Sequence, residues 1–111
     1  TLAMDGKAEE AIVKYRKVVE LEPGNSNAYA YWGAVLGQLN RHRQAVEKLE
    51  RALELYPNNS NVFSVLVDSL YHLKRYREAW SVVGRARKAK VPIPEESLSR
   101  LSEVFPEPIE H

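Results

Sequence analysis

The chain has 111 residues, with 16 Lys and Arg against 15 Asp and Glu, and it contains no cysteine. A formal net charge of +1 gives the chain as a whole no electrostatic attraction to nucleic acid or anionic lipid, so neither partner is expected. The lack of cysteine excludes disulfides, thiolate catalysis and cysteine-ligated metal sites. The first residues lack the features of a signal peptide, which favours a cytoplasmic location, and the absence of an initial Met indicates a fragment.

The chain repeats itself at an offset of 34 residues, from position 23 to position 57. Pro-Gly-Asn-Ser-Asn at 23–27 returns as Pro-Asn-Asn-Ser-Asn at 57–61, and Ala11, Ala45 and Ala79 keep the same offset. A recurrence at this period is typical of stacked helical units that share one continuous core. The sequence therefore predicts an all-α fold with no strands.

Apolar residues recur at helical spacing along most of the chain. The predicted helices cover residues 8–21, 27–39, 43–55, 61–73, 76–89 and 95–105. Ser26 is the predicted N-cap of the second of these, and Leu2 is expected to close an earlier helix. Gly33 and Gly37, four residues apart on one helix, predict a close helix contact.

The pattern resembles the tetratricopeptide repeat. The central unit carries the matching residues Tyr29, Trp32, Gly33, Leu36, Ala45, Leu49, Ala52 and Pro57. The resemblance implies a right-handed superhelical stack of antiparallel helix pairs. It divides the chain into a partial repeat at 1–25, repeats at 26–59 and 60–94, and a capping helix or further repeat at 95–105. A one-residue insertion lies in the second full repeat, and residues 106–111 form a tail.

The resemblance also implies a concave face, lined by the first helix of each unit, that binds a peptide or a helix. The matching positions are Asn27, Ala30, Ala34, Gly37, Gln38, Asn61, Ser64, Asp68, Tyr71 and His72, with Glu96, Ser99 and Glu103 on the last helix. None of them is Lys or Arg, so a clamp for a terminal carboxylate is not expected. The acidic members favour a neutral-to-basic partner. For Tyr71, partner binding and simple packing weigh equally.

A second candidate surface is basic. It comprises Lys74, Arg75, Arg77, Arg85, Arg87, Lys88 and Lys90, with Glu78 as the one acid between them. Basic residues at the end of a helix complement its dipole, so a solvated outer face is the preferred interpretation and an anionic partner the alternative.

Catalytic motifs are missing from the sequence. There is no Gly-x-Ser-x-Gly elbow and no glycine-rich phosphate loop. His42, His72 and His111 lie far apart in sequence, so each is expected to be a solvated surface residue, with only His72 facing the groove. We therefore predict no enzymatic activity, no cofactor and no metal.

Three functions fit the pattern. The first is a protein–protein interaction scaffold. The second is a non-catalytic arm that recruits substrate for a larger enzyme. The third is self-assembly, since an incomplete first unit exposes an apolar face to another copy.

Overall fold

The structure, a computed structural model, describes the backbone of residues 2–108 and the side chains from Gly6 onward. This part of the chain forms helices only, as predicted, in a tetratricopeptide-like helical repeat. The helices are α1 (Leu2–Leu21), α2 (Ser26–Gln38), α3 (His42–Leu55), α4 (Phe63–His72), α5 (Tyr76–Lys88) and α6 (Glu95–Val104). His111, one of the three histidines, lies outside the described residues.

The first helix is longer than predicted. Leu2 belongs to the same continuous helix as Leu21, so the expected boundary between a closing helix and a helix at residues 8–21 is wrong. Gly6 is the residue with the lowest helix propensity in this stretch, and it costs only about 1 kcal/mol relative to Ala in a helix interior. With no proline to interrupt the backbone hydrogen bonds, the helix runs through.

Among the described helices, α2 and α3 make the most extensive contact, and α4 and α5 pair in the same way. The closest approach lies at Gly33. A methyl group built there would stand 2.6 Å from Leu49 Cγ and 3.2 Å from the Ala45 carbonyl oxygen. Both of those residues are fully buried, so neither can move aside into solvent. The predicted close contact is therefore confirmed at Gly33, whereas a methyl group at Gly37 would meet only Ser69 Oγ, at an ordinary 3.6 Å.

The second helix pair buries the same repeat positions with different residues. Ala79, Val83 and Ala86 on α5 take the places of Ala45, Leu49 and Ala52 on α3, and all six are at most 1% exposed. Val67, in place of Gly33, is also buried at 1%. Val83 is smaller than Leu49, and this leaves room for the larger Val67 on α4.

Asparagines shape the turns that join the repeats. Asn25, not Ser26, caps α2, because its side chain accepts a hydrogen bond of 3.0 Å from the Ala28 amide. The N-cap prediction for Ser26 is wrong, since its hydroxyl instead donates to the Ala52 carbonyl oxygen at 2.8 Å. Ser26 thus ties the start of α2 to the last turn of α3.

Asn59 holds the equivalent position one repeat later and is only 3% exposed. Its Nδ2 donates to Ser26 Oγ at 2.8 Å and to Asn27 Oδ1 at 3.0 Å, while its Oδ1 accepts from the Asn61 amide. A buried amide with its donors and acceptor satisfied fixes its neighbours more firmly than an apolar side chain would. The turn after α3 is therefore fastened to the start of α2.

Three helices end in a left-handed residue. Asn40, Lys74 and Lys90 have φ angles of 61°, 62° and 60°. In each case the following amide bonds back across the last turn, as Arg75 N does to Leu70 O at 2.9 Å. Helix α3 ends differently, in an extended Tyr56 before Pro57. The left-handed residue Lys90 lies in the segment where the sequence predicts the one-residue insertion.

The last helix ends one residue earlier than predicted, at Val104. Phe105 is extended and folds back, so that its carbonyl oxygen accepts a 2.7 Å hydrogen bond from Trp80 Nε1. Its ring also stacks on Tyr76, with centroids 6.1 Å apart. These contacts fasten the end of α6 to α5.

We expect Gly33→Ala to destabilise the fold by about 1–3 kcal/mol, because the added methyl group overpacks a site that has no room to relax. Gly37→Ala is the matched control on the same helix. It should be neutral or stabilising by up to about 1 kcal/mol, since Ala favours helix and the space is open. Urea titrations of both variants measure the difference. Equal stability of the two would show that the α2–α3 contact is misplaced.

Ala79→Leu should also lower the free energy of unfolding by about 1–3 kcal/mol, because the larger side chain enters the fully buried seam between α4 and α5. Ser81→Leu places the same side chain on the exposed face of α5 and should leave the midpoint of thermal unfolding nearly unchanged. A melting temperature unaffected by Ala79→Leu would contradict this packing.

Candidate functional site

An open hollow of about 250 Å³ lies between α2 and α4. It is lined by Ala34, Gly37, Gln38, His42, Val65, Asp68, Ser69 and His72. Five of these residues come from the predicted groove, and they arise from two successive repeats. The helix period explains this, because residues three and four apart on α2 share one face, and so do their counterparts on α4.

The other predicted groove residues are distributed more widely. Ala30 is 1% exposed and belongs to the core, so its assignment to the groove is wrong. The cause is its size, since the methyl group fits wholly within the packed cluster of buried residues. Asn27 and Asn61 are exposed and Ser64 is half-buried. Asn27 additionally serves the turn, through its hydrogen bond from Asn59.

Asp68 is the carboxylate of the hollow, and the last helix holds it in place. Its Oδ1 accepts a 3.0 Å hydrogen bond from the hydroxyl of Ser97, a residue that is 7% exposed at the start of α6. The contact joins α6 to α4 and orients one carboxylate oxygen. Glu96, Ser99 and Glu103 are exposed on α6, so their acidity faces solvent.

Tyr71 is half-buried and packs among other rings. Its ring centroid lies 5.5 Å from that of His72, edge to face, and 6.0 Å from that of Tyr76. The Arg100 guanidinium carbon lies 5.7 Å from the Tyr71 centroid, a cation–π distance. Sequence reasoning missed Arg100, because it considered only the matching positions on α6. The arginine adds positive charge at the edge of a face that was expected to be mildly acidic.

The two described histidines meet, contrary to the expectation of separate surface residues. The rings of His42 and His72 stack with centroids 4.5 Å apart and planes within 9°. His42 is half-buried rather than fully solvated, and its Nδ1 has no hydrogen-bond partner within the described chain. Burial, followed by the nearby His72, lowers the pKa of His42 below its usual value. A pairing between residues 30 positions apart, 42 and 72, leaves no local sequence signal.

The basic residues do not gather into one patch. Lys74, Arg75 and Arg77 lie at the start of α5, whereas Arg87, Lys88 and Lys90 lie at its end, roughly 18 Å away at 1.5 Å per residue. All seven basic residues of this candidate surface are exposed.

Acidic partners offset part of that positive charge. Arg85 lies 3.1 Å from Glu50, Arg87 lies 2.8 Å from Glu107, and Arg75 pairs with Glu78. The Arg87 contact also lowers the pKa of the Glu107 carboxyl through its hydrogen bond. The surface is therefore a set of ion pairs and separate cations, and each exposed pair contributes little to stability.

The rest of the described surface has few features that indicate another kind of site. Within residues 2–108, as far as their side chains are described, no three metal-ligating side chains cluster. Nor does any helix of that range combine the length and apolarity that a membrane crossing requires. Hollows on the side of the second helices are edged by the ion pairs Arg85–Glu50 and Arg41–Glu9. The hollow between α2 and α4 is left as the candidate site.

Comparison with known families gives a match over most of the chain. Residues 4–86 fit the model of the family described as anaphase-promoting complex, cyclosome, subunit 3, a tetratricopeptide-type repeat family. The match spans α1 to α4 and most of α5, including both sides of the hollow. Among curated proteins, none matches the chain.

We expect His42 to make folding stability depend on pH. Its pKa is lower in the folded protein than in the unfolded chain, so the unfolded chain binds the proton more readily. The free energy of unfolding should therefore be constant above about pH 7 and decrease as pH falls through about 6.5, the unperturbed histidine value.

Urea titrations from about pH 8 to about pH 5 measure this dependence, with His42→Gln as the variant that removes it. The decrease that wild type shows beyond His42→Gln is the His42 contribution. His72→Gln should reduce that contribution in part, because burial, the larger cause, remains. Parallel curves for wild type and His42→Gln would contradict the assignment.

Proposed function

We propose that the chain holds a partner segment along the face formed by α2, α4 and α6. The chain belongs to the family described as anaphase-promoting complex, cyclosome, subunit 3. Repeats of this type are protein–protein interaction modules and are generally non-catalytic. The partner we propose is a neutral-to-basic peptide or helix. The hollow that spans α2 and α4 is the observation that carries the proposal.

The shape of the hollow supports an extended or helical partner. Small or apolar side chains contribute to its lining, with Ala34 and Gly37 on α2 and Val65 on α4. Small side chains leave space into which a partner can insert an apolar group. Gln38 and Asp68 at the edges offer hydrogen bonds that fix its orientation. An apolar lining with a few polar groups is the common composition of ligand-binding clefts.

The charge distribution supports a partner that carries Lys or Arg near the hollow. Asp68 is the one acidic side chain that lines it. The described lining contains no Lys or Arg, so nothing there would neutralise a terminal carboxylate. Arg100 lies farther along, over the ring of Tyr71. It is suited to an acidic or aromatic residue at the far end of the same partner.

A positional-scanning peptide array on this chain tests the proposal, with Asp68→Asn as the first variant. Asn keeps the oxygen that accepts from Ser97 and removes only the charge. Peptides with Lys or Arg should bind the variant up to about fivefold more weakly, as expected for a partly exposed ion pair of about 0.2–1 kcal/mol. Glu54→Gln is the matched control, because Glu54 is exposed on α3 and does not line the hollow.

Tyr71→Ala should have the larger effect, roughly tenfold or more, if the partner packs on the ring, because buried aromatics concentrate interface energy. Enrichment of peptides with acidic carboxyl termini by the wild-type chain would overturn the charge argument. Unchanged binding in both variants would move the site away from this face.

A further inference from the structure

We infer that the His42–His72 stack is a proton-operated wall of the hollow, in which a proton on His42 offsets the negative charge of Asp68 as the pH falls. The inference about partner selection rests on the proposed function. The titration of His42 can be measured without a partner. That part of the inference therefore succeeds or fails independently of the proposed function.

The stack joins two repeats at one edge of the hollow. His42 is the first residue of α3 and His72 is the last residue of α4. Their rings lie face to face at 4.5 Å, and both line the hollow together with Asp68. A charge on either ring therefore acts on the other ring and on whatever occupies the hollow.

His72 is held at the end of α4 by a contact with its own helix. Its Nδ1 lies 2.8 Å from the carbonyl oxygen of Asp68. A carbonyl oxygen only accepts hydrogen bonds, so this Nδ1 carries the hydrogen, and an added proton goes to Nε2. The ring also stands at the carboxyl end of α4, where the helix dipole favours a cation.

His42 is arranged to stay neutral. It stands at the amino end of α3, where the helix dipole disfavours a cation. Its Nδ1 is buried without a partner, so a charged N–H at that atom would find no acceptor. Burial and the neighbouring His72 both lower its pKa. A proton therefore enters His42 only at a pH below the usual histidine range.

The surrounding charges do not cancel this effect. Arg41, on the turn before His42, pairs with Glu9 at 2.7 Å. Arg43 follows on α3 and is exposed. On the other side of the stack, Tyr71 presents its ring edge to His72, and Arg100 lies beyond it.

Asp68 is the charged group that shares the hollow with the rings. Its carboxylate gives the hollow one negative charge while both rings are neutral. An imidazolium at His42 beside that carboxylate leaves no net charge. A cationic side chain is thus bound more tightly at neutral pH than in acid, and an anionic side chain shows the opposite preference.

Nuclear magnetic resonance of the imidazole carbons, recorded from about pH 8 to about pH 5, tests the coupling. Guanidinium-unfolded chain supplies the reference for each ring. We expect His42 to titrate at lower pH than in the unfolded chain. In His72→Phe, which keeps an aromatic face but accepts no proton, the His42 midpoint should move upward. A midpoint that equals the unfolded value, or that ignores His72→Phe, would overturn the inference.

The amide resonances of Gly37 and Ser69 report on the hollow itself and should shift with the same midpoint as His42. Binding of a Lys-rich and a Glu-rich peptide of equal length, measured at about pH 7.5 and about pH 5.5, then tests selection. The Lys-rich peptide should lose roughly tenfold in relative affinity on acidification, equivalent to about 1.4 kcal/mol.

His42→Gln together with His72→Gln should abolish that pH dependence, and Lys48→Gln, outside the hollow, should retain it. Coupled titration with no change in peptide preference would overturn the charge-selection part. Absence of any peptide binding, alongside coupled titration and shifting amides, would count against the proposed function while the proton-operated wall stands.

Discussion

The contact between Gly33 and the Ala45–Leu49 surface is the constraint on which the rest of the structure depends. Side-chain atoms of Leu49 occupy the space where a methyl group of residue 33 would stand, so α2 rests almost directly on α3. With residue 33 facing α3, the helix period fixes the direction of every other residue of α2. Ala34, Gly37 and Gln38 then line the hollow because Gly33 faces the seam.

Neighbouring repeats must also keep a fixed distance, and polar contacts at the turns do this. The hollow needs α2 and α4 side by side, although these helices pack against each other only lightly. Asn59 and Ser26 bind the turn before α4 to the start of α2 and the end of α3. The hydrogen bond from Ser97 to Asp68 fixes the spacing between α6 and α4 in the same way. Buried hydrogen bonds have strict geometry, so they set the spacing more narrowly than apolar packing alone.

Much of this fold was predictable from the sequence, because repetition multiplies a weak local signal. The 34-residue recurrence and the helical spacing predicted all six helices to within a few residues at most ends, and the start of α1 is the exception. The N-cap was assigned to Ser26 instead of Asn25 because both residue types cap helices and the two are adjacent.

The site was harder to predict than the fold. Repeat positions identify which helix face is concave, but they do not say how deeply a small residue such as Ala30 is buried. The His42–His72 stack and the approach of Arg100 to Tyr71 depend on how two elements meet in space. Such contacts are not encoded by spacing within one helix.

The arrangement separates the residues that hold the fold from those that line the proposed site. The seam of Gly33, Ala45 and Leu49 is apolar and closed, whereas the hollow is open and polar at its edges. Exposed and half-buried side chains can change charge with little loss of packing. Under the proposed function, the preference for a partner thus depends on Asp68 and His42 while the stack of helices stays the same. His42 is the exception, because its ring lines the hollow and its burial also couples protonation to folding.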